Sequence, residues 1–131
     1  MRKNPVGLSV FVILLALACA AGARALQSPD RRVIPVTAER FTFTPSEIAV
    51  TAGEEVELRL TSDDTAHGFH IEGADVNVTI PKRGGKELVV VFKAPGPGRY
   101  PFECNRMCGA GHDFMRGVLV VRPPTDQPAT R

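Results

Sequence analysis

The stretch EIAVTAGEEVELRLTS, Glu47 to Ser62, decides the fold. Ile48 and Val50 alternate with smaller or polar neighbours, Thr51-Ala52-Gly53-Glu54 has turn chemistry, and Val56, Leu58 and Leu60 then alternate with Glu55, Glu57 and Arg59. A period of two places the apolar side chains on one face of a strand and the charges on the other, as in a sheet with one buried and one solvated side. Upstream, Phe41 and Phe43 alternate with threonine. Downstream come Gly68 to Ile71, then Val76, Val78 and Ile80, the dense run Leu88 to Phe92, Tyr100 and Phe102, and Gly117 to Val121. Turn-forming clusters at Ser62–Thr65, Pro81–Gly85 and Ala94–Gly98 punctuate these runs. No segment between Val33 and Val121 sustains a helical period. The spacing predicts an all-β domain over residues 32–122, a sandwich or barrel of seven or eight strands.

A chain of 131 residues accommodates one such domain. Its formal charge of +2 includes Arg2, Lys3 and Arg24, and without them the rest carries one net negative charge, which argues against a nucleic-acid partner. Those three residues flank an uncharged run from Asn4 to Ala23 with a Val, Phe, Ile, Leu and Ala centre. Residues 1–25 therefore read as a signal peptide, with Ala23-Arg24-Ala25 in the spacing of a cleavage site, or as an N-terminal membrane anchor. Cys19, after Ala16-Leu17-Ala18, loosely imitates a lipoprotein site. Each reading exports the domain, to the periplasm or the outer face of the cytoplasmic membrane. The polar, proline-containing residues 123–131 read as a disordered tail.

Chemistry is concentrated in CNRMCGAGHDFM, which sets Cys104, Cys108, His112 and Met115 in the spacing C-x3-C-x3-H-x2-M. A disulfide between the two cysteines would close a very small loop and gain little from doing so. Two thiolates, an imidazole and a thioether are instead soft or borderline metal donors, a set that favours copper, since zinc sites seldom recruit methionine. The four positions also share one face of an ideal helix, but Gly109 and Gly111, each costing roughly 1 kcal/mol against alanine in a helix, favour a loop. His67 is a further candidate. If Gly68 to Ile71 is a strand, His67 shares a buried face with Phe69 and Ile71 while His70 points out, and Phe102 and Cys104 share parity likewise. Taken alone, His67 reads as a structural core histidine ahead of a ligand and Met115 as packing, and only the set together points to a metal; Met107 is assigned to packing.

A mononuclear blue-copper site uses one cysteine, two histidines and a weak axial methionine, so a second cysteine is surplus to it. CNRMCGAGHDFM, with the earlier His67-Gly68-Phe69, resembles the copper-A motif of cytochrome c oxidase subunit II and nitrous oxide reductase. The resemblance covers roughly Ile34 to Val121. It implies a cupredoxin-like Greek-key β-sandwich with two copper ions, bridged by Cys104 and Cys108, with His67 and His112 as terminal ligands and Met115 and the backbone carbonyl of Arg106 as weak ones. It also implies an electron carrier without turnover of its own, whose partner is a c-type cytochrome or a terminal oxidase and whose contact with the membrane is limited to the N-terminal segment. Arg106 stands where oxidase subunits usually have Glu, a change that a carbonyl ligand tolerates, and the chain has no Trp for the aromatic electron-entry patch of those subunits. The competing expectation is a copper chaperone or storage protein using the same donors. A thiol oxidoreductase of the C-x3-C copper-assembly kind would need thioredoxin-like helices that the pattern does not offer.

Overall fold

A computed structural model describes residues 31–124. Residues 1–30 and 125–131, which include the leader and most of the expected tail, lie outside the described residues. Among the described residues nine strands follow one another: β1 (Arg32–Glu39), β2 (Thr42–Thr44), β3 (Glu47–Thr51), β4 (Glu55–Ser62), β5 (His67–Ile71), β6 (Val76–Ile80), β7 (Leu88–Lys93), β8 (Gly98–Glu103) and β9 (Arg116–Arg122). They form a four-stranded sheet, β2-β1-β4-β7, and a five-stranded sheet, β3-β9-β8-β5-β6. The expected all-β sandwich is present, with one or two strands more than the spacing predicted. The difference lies at the N-terminal edge, where β2 is only three residues long and pairs back on β1, while β3, beyond Pro45, joins the other sheet beside β9. Among the described residues no helix is long and apolar enough to cross a membrane.

The alternation read from the sequence is the alternation that is buried. Val56, Leu58, Leu60 and Ser62 of β4 face inward while Glu55, Glu57 and Arg59 do not, and Ile48 and Val50 of β3 face the same core from the opposite sheet. At its centre Phe43, Phe69 and Phe102 pack as a triad, with ring centroids 5.1 to 5.5 Å apart and two of the three pairs edge-on, an arrangement aromatic quadrupoles favour. Phe69 and Phe102 lie on the adjacent antiparallel strands β5 and β8, whose register pairs His70 with Glu103 and Ile71 with Phe102. Because these strands run in opposite directions, the start of β5 and the end of β8 lie at one pole. His67 opens β5 there, and Cys104 follows β8 directly.

Candidate metal centre

The loop from Cys104 to Met115 crosses this pole between β8 and β9. Apart from one 3-10 turn over His112–Phe114 it is not helical, as Gly109 and Gly111 led us to expect. Its base is closed by the Cys104 N–H, which donates to the Met115 carbonyl at 3.0 Å. Cys104, Cys108 and Met115 are buried within the hydrophobic core and His67 is fully buried. Both cysteines are free thiols. His112 is half-buried and Arg106 exposed.

The donor atoms converge. The two Sγ atoms are 3.7 Å apart, and a ring nitrogen of His67, Cys104 Sγ and Cys108 Sγ all lie within 4.8 Å of one another. Each sulfur has its own imidazole: Cys104 Sγ is 3.9 Å from His67 Nδ1 and Cys108 Sγ is 3.8 Å from His112 Nδ1. Each also has a weak donor, since the Arg106 carbonyl lies 3.1 Å from Cys104 Sγ and Met115 Sδ lies 3.9 Å from Cys108 Sγ. All six groups singled out in the sequence are therefore brought together. His70 stays on the outer side of β5, with Nδ1 3.2 Å from the Val76 carbonyl. Met107 corrects its assignment: it is 76% exposed, on a loop whose buried places are taken by Cys104 and Cys108 on either side of it.

Three residues that spacing did not single out hold the site. Asp64 Oδ1 lies 2.7 Å from His67 Nε2, which leaves Nδ1 free to face the sulfurs, an outer contact typical of metal-binding histidines. Burial pushes this carboxyl up, but hydrogen bonds from His67 and from the Arg40 and Thr65 backbone N–H groups outweigh it and hold Asp64 at about 2. Arg40 joins the two halves of the pole, because its backbone N–H donates to Asp64 Oδ2 at 3.0 Å while its Nε donates to the Cys108 carbonyl at 2.7 Å. Phe41 lies against the loop so closely that a Cβ on Gly111 would meet its ring at 2.3 Å, which accounts for glycine at that position. Arg40 and Cys108 are 68 positions apart, and no local pattern signals such a contact.

Burial, then the hydrogen bond and charge of Cys104, push the Cys108 thiol up to about 11 against a downward pull from Arg40. Such a thiol is protonated at neutral pH, so a metal ion binding here displaces a proton. The donors fit copper: buried sulfur and imidazole suit it, and a thioether within reach is foreign to structural zinc sites.

The model of the cupredoxin-like domain matches residues 9–121. The chain belongs to the cupredoxin family. Within that family it is homologous to the copper domain of cytochrome c oxidase subunit 2. It is 37% identical over 94 residues to that subunit of Thermus thermophilus, an alignment covering 72% of this cupredoxin and 68% of the relative. A second Thermus thermophilus subunit 2 is equally identical, with 55% of its length covered, and that of a Synechocystis strain is 33% identical with 27% covered. The chain thus spans between about two thirds and a quarter of these relatives. Among solved structures, a chain of a heme-copper terminal oxidase dimer superposes with a TM-score of 0.62 at 26% identity, covering 92% of this chain and all of that one. The blue copper protein auracyanin A of Chloroflexus aurantiacus, at 19% identity, shares the fold with a TM-score of 0.55, covering 70% of this chain and 99% of its own. This is therefore a copper-binding cupredoxin with a His/Cys/Cys/Met donor set at one pole.

One substitution tests how the pole is built. A Cβ on Gly68, next to His67, would stand 2.1 Å from Asn105 Oδ1 and 2.9 Å from the backbone nitrogens of Asn105 and Arg106. The ligand loop thus rests on the bare backbone of β5. Gly68→Ala is expected to lift the loop, costing about 1–3 kcal/mol of stability and weakening copper binding, measured by thermal melting and copper titration. Unchanged melting and affinity would mean that the loop does not need this seat.

Proposed function

We propose that this cupredoxin is an exported one-electron carrier in which Cys104 and Cys108 bridge two copper ions. In this reading His67 and His112 are the terminal ligands, and Met115 and the Arg106 carbonyl are weak ones. The observation that carries it is the pair of sulfurs 3.7 Å apart, each with a separate imidazole nitrogen within 4 Å. A single blue-copper ion would leave one of two buried thiols without a role. Bound copper supplies the one-electron chemistry; the protein supplies geometry and exclusion of water. Asp64 fixes the His67 ring and Arg40 fixes the Cys108 carbonyl, so the ligands are held in place as charge changes. His112, half-buried on its 3-10 turn, offers the nearest approach for a redox partner.

Kinship with cytochrome c oxidase subunit 2 supports a c-type cytochrome as donor and a terminal oxidase as acceptor. The leader-like residues 1–25 support a location in the periplasm or on the outer face of the cytoplasmic membrane. Burial of both thiols favours a carrier over a copper chaperone or storage protein, because handing a metal on requires exposed sulfur. The decisive measurement is copper per chain together with the paramagnetic resonance of the oxidised protein. Two ions sharing one unpaired electron over both nuclei are expected. A single ion with a blue-type spectrum would reject the bridged pair, and ready release of copper to an acceptor protein would favour the delivery reading.

A further inference from the structure

β7 ends the four-stranded sheet, and among the described residues its only ladder runs to β4. That ladder is continuous from Leu88 to Lys93, without a bulge, and the strand contains no proline. The backbone groups of residues 88–93 make no further hydrogen bond with described residues. Alternate N–H and C=O groups along LVVVFK therefore line an edge that no described residue pairs, which is a template for another strand.

The outer face of this edge reads Glu87, Val89, Val91, Lys93, with Val89 50% and Val91 43% exposed and both charged residues exposed. Read backwards, the same stripe is positive, apolar, apolar, negative. An antiparallel neighbour with the same sequence, registered so that Val90 faces Val90, sets Glu87 opposite Lys93 and Val89 opposite Val91, and two-fold symmetry repeats both pairs. Residues of equal parity meet, so hydrogen-bonding groups face each other as an antiparallel ladder requires. A lysine on an edge strand ordinarily repels a second strand, but here it would meet the glutamate of the other copy.

The neighbouring strand extends the pattern. Glu55 of β4 stands opposite Lys93, and Arg59 lies 4.0 Å from Glu87. Across the seam the charges would run Glu55, Lys93, then Glu87 and Arg59 of the second copy, alternating in sign. A chain that is almost neutral outside its leader-like segment has little net repulsion to overcome.

We propose that β7 is a self-association edge: two copies pair through it antiparallel about Val90, fusing their four-stranded sheets into one. The occupant is a second copy because the stripe is complementary to its own reverse.

The test is light scattering or sedimentation of the copper-loaded protein over a concentration series, with variants Glu87→Lys, Lys93→Glu and the double exchange. The wild type is expected to dimerise, each single variant to weaken the dimer by roughly tenfold or more through two like-charge contacts, and the double exchange to restore it. Amides of β7 should gain hydrogen-exchange protection as concentration rises. The copper spectrum, which depends on β5, β8 and the ligand loop of the other sheet, should not change in any variant and reports that each has folded. A monomer at every concentration, a dimer indifferent to Glu87→Lys, or a double exchange no better than the single ones would overturn the proposal. Pairing of β7 with an extended peptide of another protein, in preference to itself, would overturn it as well.

Discussion

Cys108→Ser is expected to abolish the bridged pair proposed above while leaving the sandwich folded. The hydroxyl is isosteric enough for the buried pocket, so the aromatic core beneath has no reason to collapse. As a ligand, however, serine is hard and its proton is not displaced at neutral pH, whereas copper of this kind selects thiolate. Cys108 Sγ also stands between Cys104 Sγ, His112 Nδ1 and Met115 Sδ, all within 4 Å, so its loss isolates His112 and Met115 from the remaining sulfur. On the two-ion reading, copper per chain should fall from two to at most one, and apparent affinity by at least about 100-fold, a larger effect than removal of an outer-shell partner brings. Titration with visible absorption reads both, and a thermal melt of the metal-free variant checks the fold. Two ions and an unaltered spectrum in this variant would show that the sulfur is not a bridge. Asp64→Asn, which touches the centre only indirectly, through His67 and through Arg40 on the Cys108 carbonyl, serves as the milder comparison.

How much of this centre was legible follows from the range of each signal. Parity along a strand is local, so the burial of His67, Phe69 and Ile71 on one side of β5 and of Phe102 and Cys104 beyond β8 could be read from alternation alone. The loop donors were legible because four soft groups crowded into twelve positions are hard to account for except as metal ligands. What holds these donors was not. Asp64 looks like any carboxylate in a Ser-Asp-Asp-Thr turn until its register beside His67 is known, and Arg40 reaches Cys108 only because the β1–β2 turn comes to the same pole. Phe41 reads as one more alternating aromatic, yet it packs against the glycines of the loop. Met107 erred the other way: hydrophobicity predicts burial, but in a short stretch whose inward positions are taken by Cys104 and Cys108 its side chain turns outward. The strand count was low for a related reason. A three-residue strand such as β2 owes its existence to pairing with β1, which periodicity cannot register over so short a span.

Phe102→Ala should separate folding from metal binding. The ring is fully buried, in contact with Phe43 and Phe69, at centroid distances of 5.5 and 5.1 Å. Removing it forfeits the transfer energy of the ring, leaves a cavity that two other aromatic rings cannot fill without leaving their own strands, and cancels two aromatic contacts, a sum of about 3–5 kcal/mol. Domains of this size have about 5–15 kcal/mol in total, so the metal-free variant is expected to melt roughly 15–35 °C lower and to lie close to unfolding at ambient temperature. Copper binds the folded chain in preference to the unfolded one and stabilises it in proportion to the logarithm of free metal over its dissociation constant. The variant should therefore refold on adding copper, with the wild-type spectrum, because Phe102 supports the strand that delivers Cys104 and is not itself a donor. Met107→Ala, at an exposed position of the same loop, should change stability by no more than about 0.5 kcal/mol. A loss below about 1 kcal/mol in Phe102→Ala would mean that the triad is not the core on which the pole is built. A folded variant with an altered copper spectrum would instead place that strand's packing among the determinants of the metal geometry itself.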